Sequence, residues 1–281
     1  MRIDGQEIAS TIFADLKKRI EKLKKKQITP HLVVMLVGND QASHAYVKQK
    51  QKKGEEIGAL VTVQMYGEDA TTDQLLTEIL KLNQDPLVHA IVVQQPLPGH
   101  IDTQKLVDNT DPKKDVDGFH IDSSFTPPIA EAAIHALDTI RFHLVQGGTL
   151  TEWLAAKRIV VIGKGETGGA PIIAKLQKLA IALKTIDSKT ENPTGVMRQA
   201  DIIISCVGKS GIIKADFLKK GVVLIGIGMH RGSDGKLHGD YEENDIKNIA
   251  SYYTPIPGGI GPVNVAMLLK NVLIASEKSM L

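Results

Sequence analysis

The sequence predicts an α/β protein of two domains with a cleft between them, and three observations support this fold class. Short β-branched runs alternate with amphipathic stretches, which is the pattern of a parallel sheet covered by helices. A strand, a glycine-rich turn and a helix follow one another at residues 159–176. The chain has 281 residues, enough to bury two hydrophobic cores.

The first half of the chain contains three predicted strands. Apolar residues at helical spacing predict an amphipathic helix over residues 5–26, followed by a β-branched strand over 31–37. Gly38, Asn39 and Asp40 then form a turn and a helix cap. The next predicted elements are a helix over 43–57, a strand over 59–66, a helix over 72–82, a strand over 90–94 and a short helix over 103–108.

The second half continues the alternation. A helix is predicted over residues 129–145. Pro262 suits the first turn of a last helix over 263–277, where a missing N–H costs little. Between these helices we predict strands over 159–162, 180–186, 202–207 and 222–227, with one helix beginning near 172 and another over 194–199.

Composition and charge exclude several classes of protein. A net charge of +2, from 34 basic and 32 acidic side chains, gives no field for nucleic acid or a membrane surface. Cys206 is the only cysteine, so no internal disulfide forms and a reducing compartment is expected. The N-terminal residues do not resemble a secretory signal, and no window is apolar enough to span a bilayer. We therefore expect a soluble, cytoplasmic protein.

The glycine-rich turn indicates a dinucleotide site. Gly163, Gly165 and Gly168 lie between an apolar strand and a helix, an arrangement in which backbone N–H groups hold a pyrophosphate. Asp187 ends the next strand, where an acidic residue would bind a ribose. A plain turn between strand and helix is the alternative, because glycines often serve only a turn. On the first interpretation, residues 121–262 form a Rossmann domain that binds a dinucleotide.

Two side chains on one predicted helix are candidates for chemistry. Tyr46 and Lys50 are four residues apart and share a face, so a ring suited to stacking would lie beside an amine. If it is partly buried, Lys50 would have a lowered pKa and could act as a base or a proton donor. The simpler alternative is that Lys50, like Lys48, Lys52 and Lys53, is surface charge.

Two further stretches stand out. Asp115 and Asp117 precede Gly118 and could bind a cation or a donor-rich ligand, although loop aspartates more often accept hydrogen bonds from backbone amides. With no His or Cys at matching spacing, we predict no metal site. The glycine-dense run 257–262 suggests backbone that lies close against a ligand. We interpret the other polar candidates as structural: Asp73, His100, His120, Trp153, Cys206 and the acidic residues from Asp240 to Asp245.

Five motifs occur in a fixed order along the chain. They are Ser43-x-x-Tyr46-Val47-x-x-Lys50, Val93-Gln94-x-Pro96-Leu97-Pro98, Lys114-Asp115-Val116-Asp117-Gly118, the glycine turn, and Thr254-Pro-x-Pro-Gly-Gly-x-Gly-Pro262. Together they resemble the bifunctional methylenetetrahydrofolate dehydrogenase/cyclohydrolase family over nearly the whole chain.

The resemblance implies a reaction and a cofactor. A hydride would pass from the methylene carbon of 5,10-methylenetetrahydrofolate to C4 of the nicotinamide. Water would then open the methenyl product to 10-formyltetrahydrofolate in the same cleft. The family habit is NADP, and a homodimer is expected. Residues 1–120, completed by helix 263–281, would form a three-layer α/β domain that binds the tetrahydrofolate substrate.

The resemblance also assigns roles to residues. Lys50, hydrogen-bonded to Gln94, would be the acid/base group at the bridge carbon. Tyr46 would stack on the folate, and Asp117 would accept hydrogen bonds from the pterin. Further substrate-binding residues would be Leu97, Pro98, Gly259, Gly261 and Pro262, with Gly258 beside them, and the cofactor-binding residues would be Gly163, Lys164, Gly165, Gly168, Asp187, Ser188 and Met229.

The chain departs from the family pattern in ways that affect these expectations. Asp187 favours the free 2′-hydroxyl of NAD, whereas Lys164, Ser188 and Lys189 could hold the 2′-phosphate of NADP, so the cofactor choice stays open. The segment after His120 is shorter than the family's, which leaves open whether both activities are retained.

Two other interpretations also stay open on the sequence alone. A different two-domain dehydrogenase, resembling shikimate dehydrogenase, would leave the run 254–262 unexplained. A folate- or nucleotide-binding paralogue that has lost one or both activities is the non-enzymatic alternative.

Overall fold

A computed structural model describes residues 1–279 of the chain, which fold into two compact units. The three-stranded unit consists of Ser10–Pro128 and the chain from Val265 onward. The five-stranded unit consists of Met1–Ala9 and Ile129–Asn264. Each unit has a parallel sheet of its own among helices, as the predicted fold class requires.

Strands β1 (His31–Val37), β2 (Leu60–Tyr66) and β3 (Ala90–Val93) form the sheet of the three-stranded unit. They are parallel in the order β2-β1-β3, and the central strand is almost entirely buried. This burial explains why β1 is a continuous apolar run rather than an alternating one. The helices that contribute residues to this unit are α1 (Gly5–Lys24), α2 (Gln41–Ile57), α3 (Thr72–Gln84), α4 (Thr103–Asn109) and α10 (Ile260–Lys278).

The start of α2 decides which of its side chains are buried. Asp40 caps the helix by accepting a hydrogen bond from the backbone N of Ser43 at 2.7 Å. From this start, a face that carries Ser43, Val47, Lys50 and Ile57 is buried. One lysine of the lysine-rich helix therefore lies inside the unit.

The five-stranded unit contains strands β4 (Ile159–Ile162), β5 (Leu183–Ile186), β6 (Ile202–Ser205), β7 (Val223–Gly226) and β10 (Tyr252–Tyr253). They are parallel in the order β10-β7-β6-β4-β5. Its further elements are α5 (Pro128–Leu144), α6 (Leu150–Ala155), α7 (Gly169–Lys178), α8 (Pro193–Met197), α9 (Glu243–Ile246) and an antiparallel hairpin of β8 (Met229–Arg231) and β9 (Leu237–Gly239).

The strand order of this sheet reverses between β4 and β6. The chain adds β5 on one side of β4 and then returns to add β6, β7 and β10 on the other. In open α/β sheets, ligands bind outside the carboxyl ends of the strands at such a reversal. The turn after β4 and the loop after β6 therefore flank the place where a nucleotide is expected.

The structure adds elements that the sequence analysis did not include. Helix α6 begins with a capping box between Thr149 and Glu152. The hairpin β8–β9 and the short elements α9 and β10 were also not predicted. Strand β5 begins at Leu183 rather than at residue 180, because Ala180 has a positive φ of 56° just after α7. Residues 1–9 belong to the five-stranded unit, where Ile3 N donates to Tyr253 O at 2.8 Å.

Over residues 1–279, the helices are all too short or too polar to cross a lipid bilayer.

Candidate functional site

Lys50 is buried rather than being one of the surface lysines. Its side chain comes from the inner face of α2 and is 5% exposed, whereas Lys48 on the same helix is exposed. Its Nζ donates a hydrogen bond to Oε1 of Gln94 at 2.9 Å, as the family resemblance implied. The surface-charge alternative for Lys50 is therefore wrong.

Gln94 is oriented to accept this hydrogen bond. It follows β3 directly, and its backbone N donates to Met35 O at 2.9 Å. Its side-chain Nε2 donates to Gln95 O at 2.6 Å, which directs Oε1 towards Lys50. Because the amide is held from both sides, the position of the lysine amine is held as well.

The electrostatics of Lys50 and Asp117 are coupled. Burial lowers the pKa of Lys50, and the charge of Asp117 opposes that shift. Burial likewise raises the pKa of Asp117, and the charge of Lys50 opposes it. At a given pH, a larger fraction of Lys50 is therefore the neutral amine than for an exposed lysine. Lys50 can thus accept or donate a proton.

The two aspartates of the 115–118 segment have different surroundings. Asp115 is buried and accepts a hydrogen bond from His120 N at 2.8 Å, as expected for a structural loop aspartate. Gly118 has φ +71°, and a Cβ there would lie 2.6 Å from Phe125 O, so the turn after Asp117 requires glycine. Asp117 lines a small pocket at the end of β3 together with Asp115 and Phe119.

The remaining predicted folate-binding residues of the three-stranded unit lie on elements adjoining this segment. Tyr46 is half-buried on α2, one turn before Lys50, and packs against the unit's core. Leu97 and Pro98 are half-buried in the segment after β3, and Leu97 packs on the core cluster beneath that strand. The same unit thus carries Tyr46, Lys50, Gln94 and Asp117, together with these two residues.

The glycine turn after β4 has the geometry of a phosphate-binding turn. Gly163 has φ +91°, a conformation that favours glycine. A Cβ on Gly169 would lie 2.0 Å from Gly163 O, so the start of α7 packs directly on the turn. Gly165 has open space around its Cβ position, and α7 begins at Gly169, after an N-cap residue, Gly168, that makes no side-chain cap hydrogen bond. The close-packing glycine of the turn is thus Gly169.

The acid at the end of β5 is paired with the turn. Lys164 Nζ donates to Asp187 Oδ2 at 2.9 Å, and Lys189 N donates to Asp187 Oδ1 at 3.0 Å. These contacts, with the Lys164 hydrogen bond the largest, lower the pKa of Asp187. Ser188 is exposed beside them. Lys164, whose positive charge would attract a 2′-phosphate, therefore contacts Asp187, whose negative charge would repel it.

Close packing explains some of the glycines in residues 257–262, where α10 begins. A Cβ on Gly5 would lie 1.6 Å from Gly259 O, and Gly259 is buried. Gly258 has φ +98°. Gly258 and Gly259 are therefore explained at least in part by the fold. Gly261 and Pro262 lie half-buried in the first turn of α10.

Asp240, one of the acidic residues that the sequence analysis interpreted as structural, is buried in the five-stranded unit. Asp240 follows β9, is fully buried, and accepts hydrogen bonds from the loop after β6 that carries Cys206. Met229, predicted to bind the cofactor, begins β8, and its carbonyl lies close to Gly208 of the same loop. Burial raises the pKa of the Cys206 thiol to about 12, in keeping with its structural interpretation.

These residues fit a nicotinamide dinucleotide. The turn has a glycine at positive φ, open space at Gly165, a helix start without a side-chain cap and a charged residue after β5. Within residues 1–279, no three His, Cys, Asp or Glu side chains are grouped so that they could hold a metal ion.

Comparison with protein families gives two matches. The model described as tetrahydrofolate dehydrogenase/cyclohydrolase, catalytic domain, matches residues 3–117. The corresponding NAD(P)-binding domain matches residues 144–280. The bifunctional protein FolD of Variovorax paradoxus is 38% identical over 286 residues, covering 99% of this chain and 98% of that protein.

Solved structures are similar over the same length. The bifunctional FolD enzyme of Campylobacter jejuni has a TM-score of 0.91 at 33% identity, covering 99% of each chain. The FolD enzyme of Trypanosoma brucei, solved with NADP cofactor and an inhibitor, has a TM-score of 0.89 at 29% identity, covering 100% of this chain and 98% of that one. The similarity thus covers the whole chain rather than one unit.

Proposed function

The chain belongs to the tetrahydrofolate dehydrogenase/cyclohydrolase family, and from this membership we propose that it is a bifunctional enzyme of one-carbon metabolism. It oxidises 5,10-methylenetetrahydrofolate to 5,10-methenyltetrahydrofolate with NAD(P)⁺ and hydrolyses that product to 10-formyltetrahydrofolate. The single observation that carries the proposal within the fold is the buried Lys50 amine bonded to Gln94.

Lys50 is the acid/base group of the hydrolytic step. As a neutral amine it accepts a proton from the water that adds to the bridge carbon. As an ammonium it returns that proton to the ring nitrogen as the bond from this nitrogen to the bridge carbon breaks. The remaining hydroxyl proton of the adduct is released to solvent, which leaves the formyl C=O. The support is its lowered pKa and its fixed hydrogen bond to Gln94.

Bound NAD(P)⁺ supplies the hydride acceptor of the oxidative step, C4 of its nicotinamide ring. Gly163, Lys164, Gly165 and Gly168 are proposed to hold its phosphates, with Asp187 and Ser188 at the adenosine ribose and Met229 beside the nicotinamide half. The open space at Gly165 and the absence of a side-chain cap at the start of α7 support this assignment. Gly259, Gly261 and Pro262 are proposed to contact the folate.

A turnover assay tests the function as a whole. The protein is incubated with 5,10-methylenetetrahydrofolate and either NAD⁺ or NADP⁺, and absorbance of the methenyl product and of the reduced cofactor is followed. We expect both signals with at least one cofactor, and then decay of the methenyl signal. Binding of folate without either signal would instead favour the non-enzymatic paralogue.

We predict that Asp117→Ala weakens folate binding by about 10- to 100-fold, since hydrogen bonds to charged groups contribute about 1.5–3 kcal/mol. The dissociation constant is measured by calorimetry with tetrahydrofolate. Asp122→Ala, an exposed aspartate of the same segment, is the matched control and should bind normally. An unchanged dissociation constant for the Asp117 variant would remove the residue from the folate site.

The Lys164–Asp187 pair is proposed to set the balance between NAD and NADP. Asp187→Ala removes the negative charge beside a 2′-phosphate and should raise the NADP/NAD ratio of kcat/KM about tenfold. Lys164→Ala removes the cation and should lower that ratio by a similar factor, because a unit charge at about 4 Å contributes about 1–4 kcal/mol. Lys184→Ala, exposed on β5, is the control. A ratio that stays the same in both variants contradicts the assignment.

Three further assignments are proposals. The domain boundaries are placed at residues 1–120, completed by 263–281, and at 121–262, and the match of the catalytic-domain model to residues 3–117 supports the first boundary. A homodimer rests on the family resemblance and is measured by sedimentation equilibrium. A cytoplasmic location is supported by the single unpaired cysteine, Cys206.

A further inference from the structure

Asp240 accepts four hydrogen bonds from a single loop. Its side chain is 0% exposed, and its Oδ1 accepts from Gly208 N at 2.7 Å and from Lys209 N at 2.9 Å. Its Oδ2 accepts from Val207 N at 3.0 Å and from the hydroxyl of Ser205. A buried carboxylate needs such donors, and here every one of the four comes from residues 205–209, which begin at the last residue of β6.

This bonding determines how the loop is oriented. Three successive backbone N–H groups point at Asp240. The peptide bonds of the loop are trans, because the cis bonds within residues 1–279 lie at Pro96 and Pro257. In a trans peptide the C=O points opposite to the N–H, so the carbonyl oxygens of the loop point away from Asp240.

One of these oxygens, that of Cys206, lies beside the glycine turn. A Cβ on Gly163 would lie 3.0 Å from Cys206 O, and Cys206 N donates to Ile162 O at 2.8 Å. On the opposite side, a Cβ on Gly228 would lie 2.5 Å from Asp240 Oδ2, so the chain after β7 closes directly over the carboxylate. The loop is therefore held between a buried acid and the turn that flanks the strand-order reversal.

We propose that Asp240 is a positioning residue for the nicotinamide cofactor, acting through the loop of residues 205–209. It does not touch the cofactor. It turns the carbonyl oxygens of Cys206, Val207 and Gly208 towards the nucleotide crevice, where they accept hydrogen bonds from the cofactor's donors, its ribose hydroxyls and carboxamide N–H₂. This inference rests on the proposed function as an NAD(P)-dependent enzyme.

The test is Asp240→Asn, which replaces one acceptor oxygen with an N–H₂ group. Whichever way the amide lies, at least one backbone N–H of the loop loses its acceptor. We expect the cofactor KM, and its dissociation constant measured by calorimetry with NADP, to rise about tenfold. The cyclohydrolase rate, assayed from methenyltetrahydrofolate without cofactor, should stay within about twofold of the wild type.

Two controls keep the outcome decisive. Asp234→Asn is the same substitution at an exposed aspartate of the β8–β9 hairpin, paired with His238, and should leave both activities unchanged. Ser205→Ala removes one donor and leaves the three backbone N–H groups bonded to Asp240, so a smaller rise in the cofactor KM, about two- to fivefold, is expected. This variant decides the question if Asp240→Asn does not fold.

Some results would overturn the inference. A cofactor dissociation constant that stays within twofold of wild type would do so. A parallel loss of dehydrogenase and cyclohydrolase activity would do so as well, because it would show a purely structural role. A wild-type protein that binds NADP but does not oxidise methylenetetrahydrofolate would instead contradict the proposed function, while the calorimetric comparison would still test Asp240.

Discussion

Lys50→Met is expected to lower the cyclohydrolase rate by about 10²–10⁴-fold, the range that a positioned proton donor or acceptor contributes. Methionine is close to lysine in length and suits an apolar site, so the buried face of α2 should keep its packing. It cannot accept a proton from the water that adds to the bridge carbon or donate one to the leaving ring nitrogen. The rate is measured from the decay of methenyltetrahydrofolate absorbance.

Folate binding should survive this substitution, because the proposed contacts of Tyr46 and Asp117 with the substrate remain. Calorimetric titration with tetrahydrofolate measures that binding. Lys48→Met is the matched control, since Lys48 lies on the same helix but is exposed. A Lys50 variant that hydrolyses methenyltetrahydrofolate at the wild-type rate would show that another group transfers the proton.

Much of the fold follows from patterns that are local in the sequence. The apolar run of β1 and the Asp40 cap of α2 both depend on neighbouring residues, and their predicted positions agree with the structure. The capping box of α6, formed by Thr149 and Glu152, is equally local, although the sequence analysis did not include this helix. That helix could have been predicted from the sequence.

Burial of the key lysine could not be predicted from local patterns. Lys48, Lys50, Lys52 and Lys53 look alike in the sequence, and only the exact start of α2 decides which of them turns inward. The order of motifs along the chain singled out Lys50, and its contact with Gln94 depends on residues 44 positions apart. Such contacts belong to the tertiary structure and have no local signature.

Asp240 and Asp187 are two further residues whose contacts could not be predicted from local sequence patterns. The partners of Asp240 are 31–35 residues away in sequence, so it could not be distinguished from its acidic neighbours. Asp187 was recognised as a ribose-binding candidate, but its ion pair with Lys164, 23 residues earlier, became visible only in the folded unit. In both cases the charged residue is visible in the sequence, whereas its hydrogen-bond or ion-pair partners are visible only in the structure.

Gly169→Ala is expected to destabilise the five-stranded unit by about 3 kcal/mol or more in the free energy of unfolding. The new Cβ would lie 2.0 Å from Gly163 O and 2.7 Å from Gly163 C, both backbone atoms that no side-chain rotation can move away. Helix α7 would have to shift away from the turn, which would also disrupt the proposed phosphate site. Urea unfolding followed by circular dichroism measures the loss of stability, and NADP calorimetry measures the loss of binding.

Gly165→Ala separates the two consequences, because it changes a glycine of the same turn that has open space around its Cβ position and no positive φ. Its free energy of unfolding should stay within about 0.5 kcal/mol of the wild type. If the backbone at Gly165 lies against a pyrophosphate, NADP should nevertheless bind more weakly, because the methyl group occupies space that the ligand needs. Equal stability in the Gly169 variant and the wild type would contradict the close approach of α7 to the turn. Unchanged NADP affinity in the Gly165 variant would place the phosphates elsewhere on the turn.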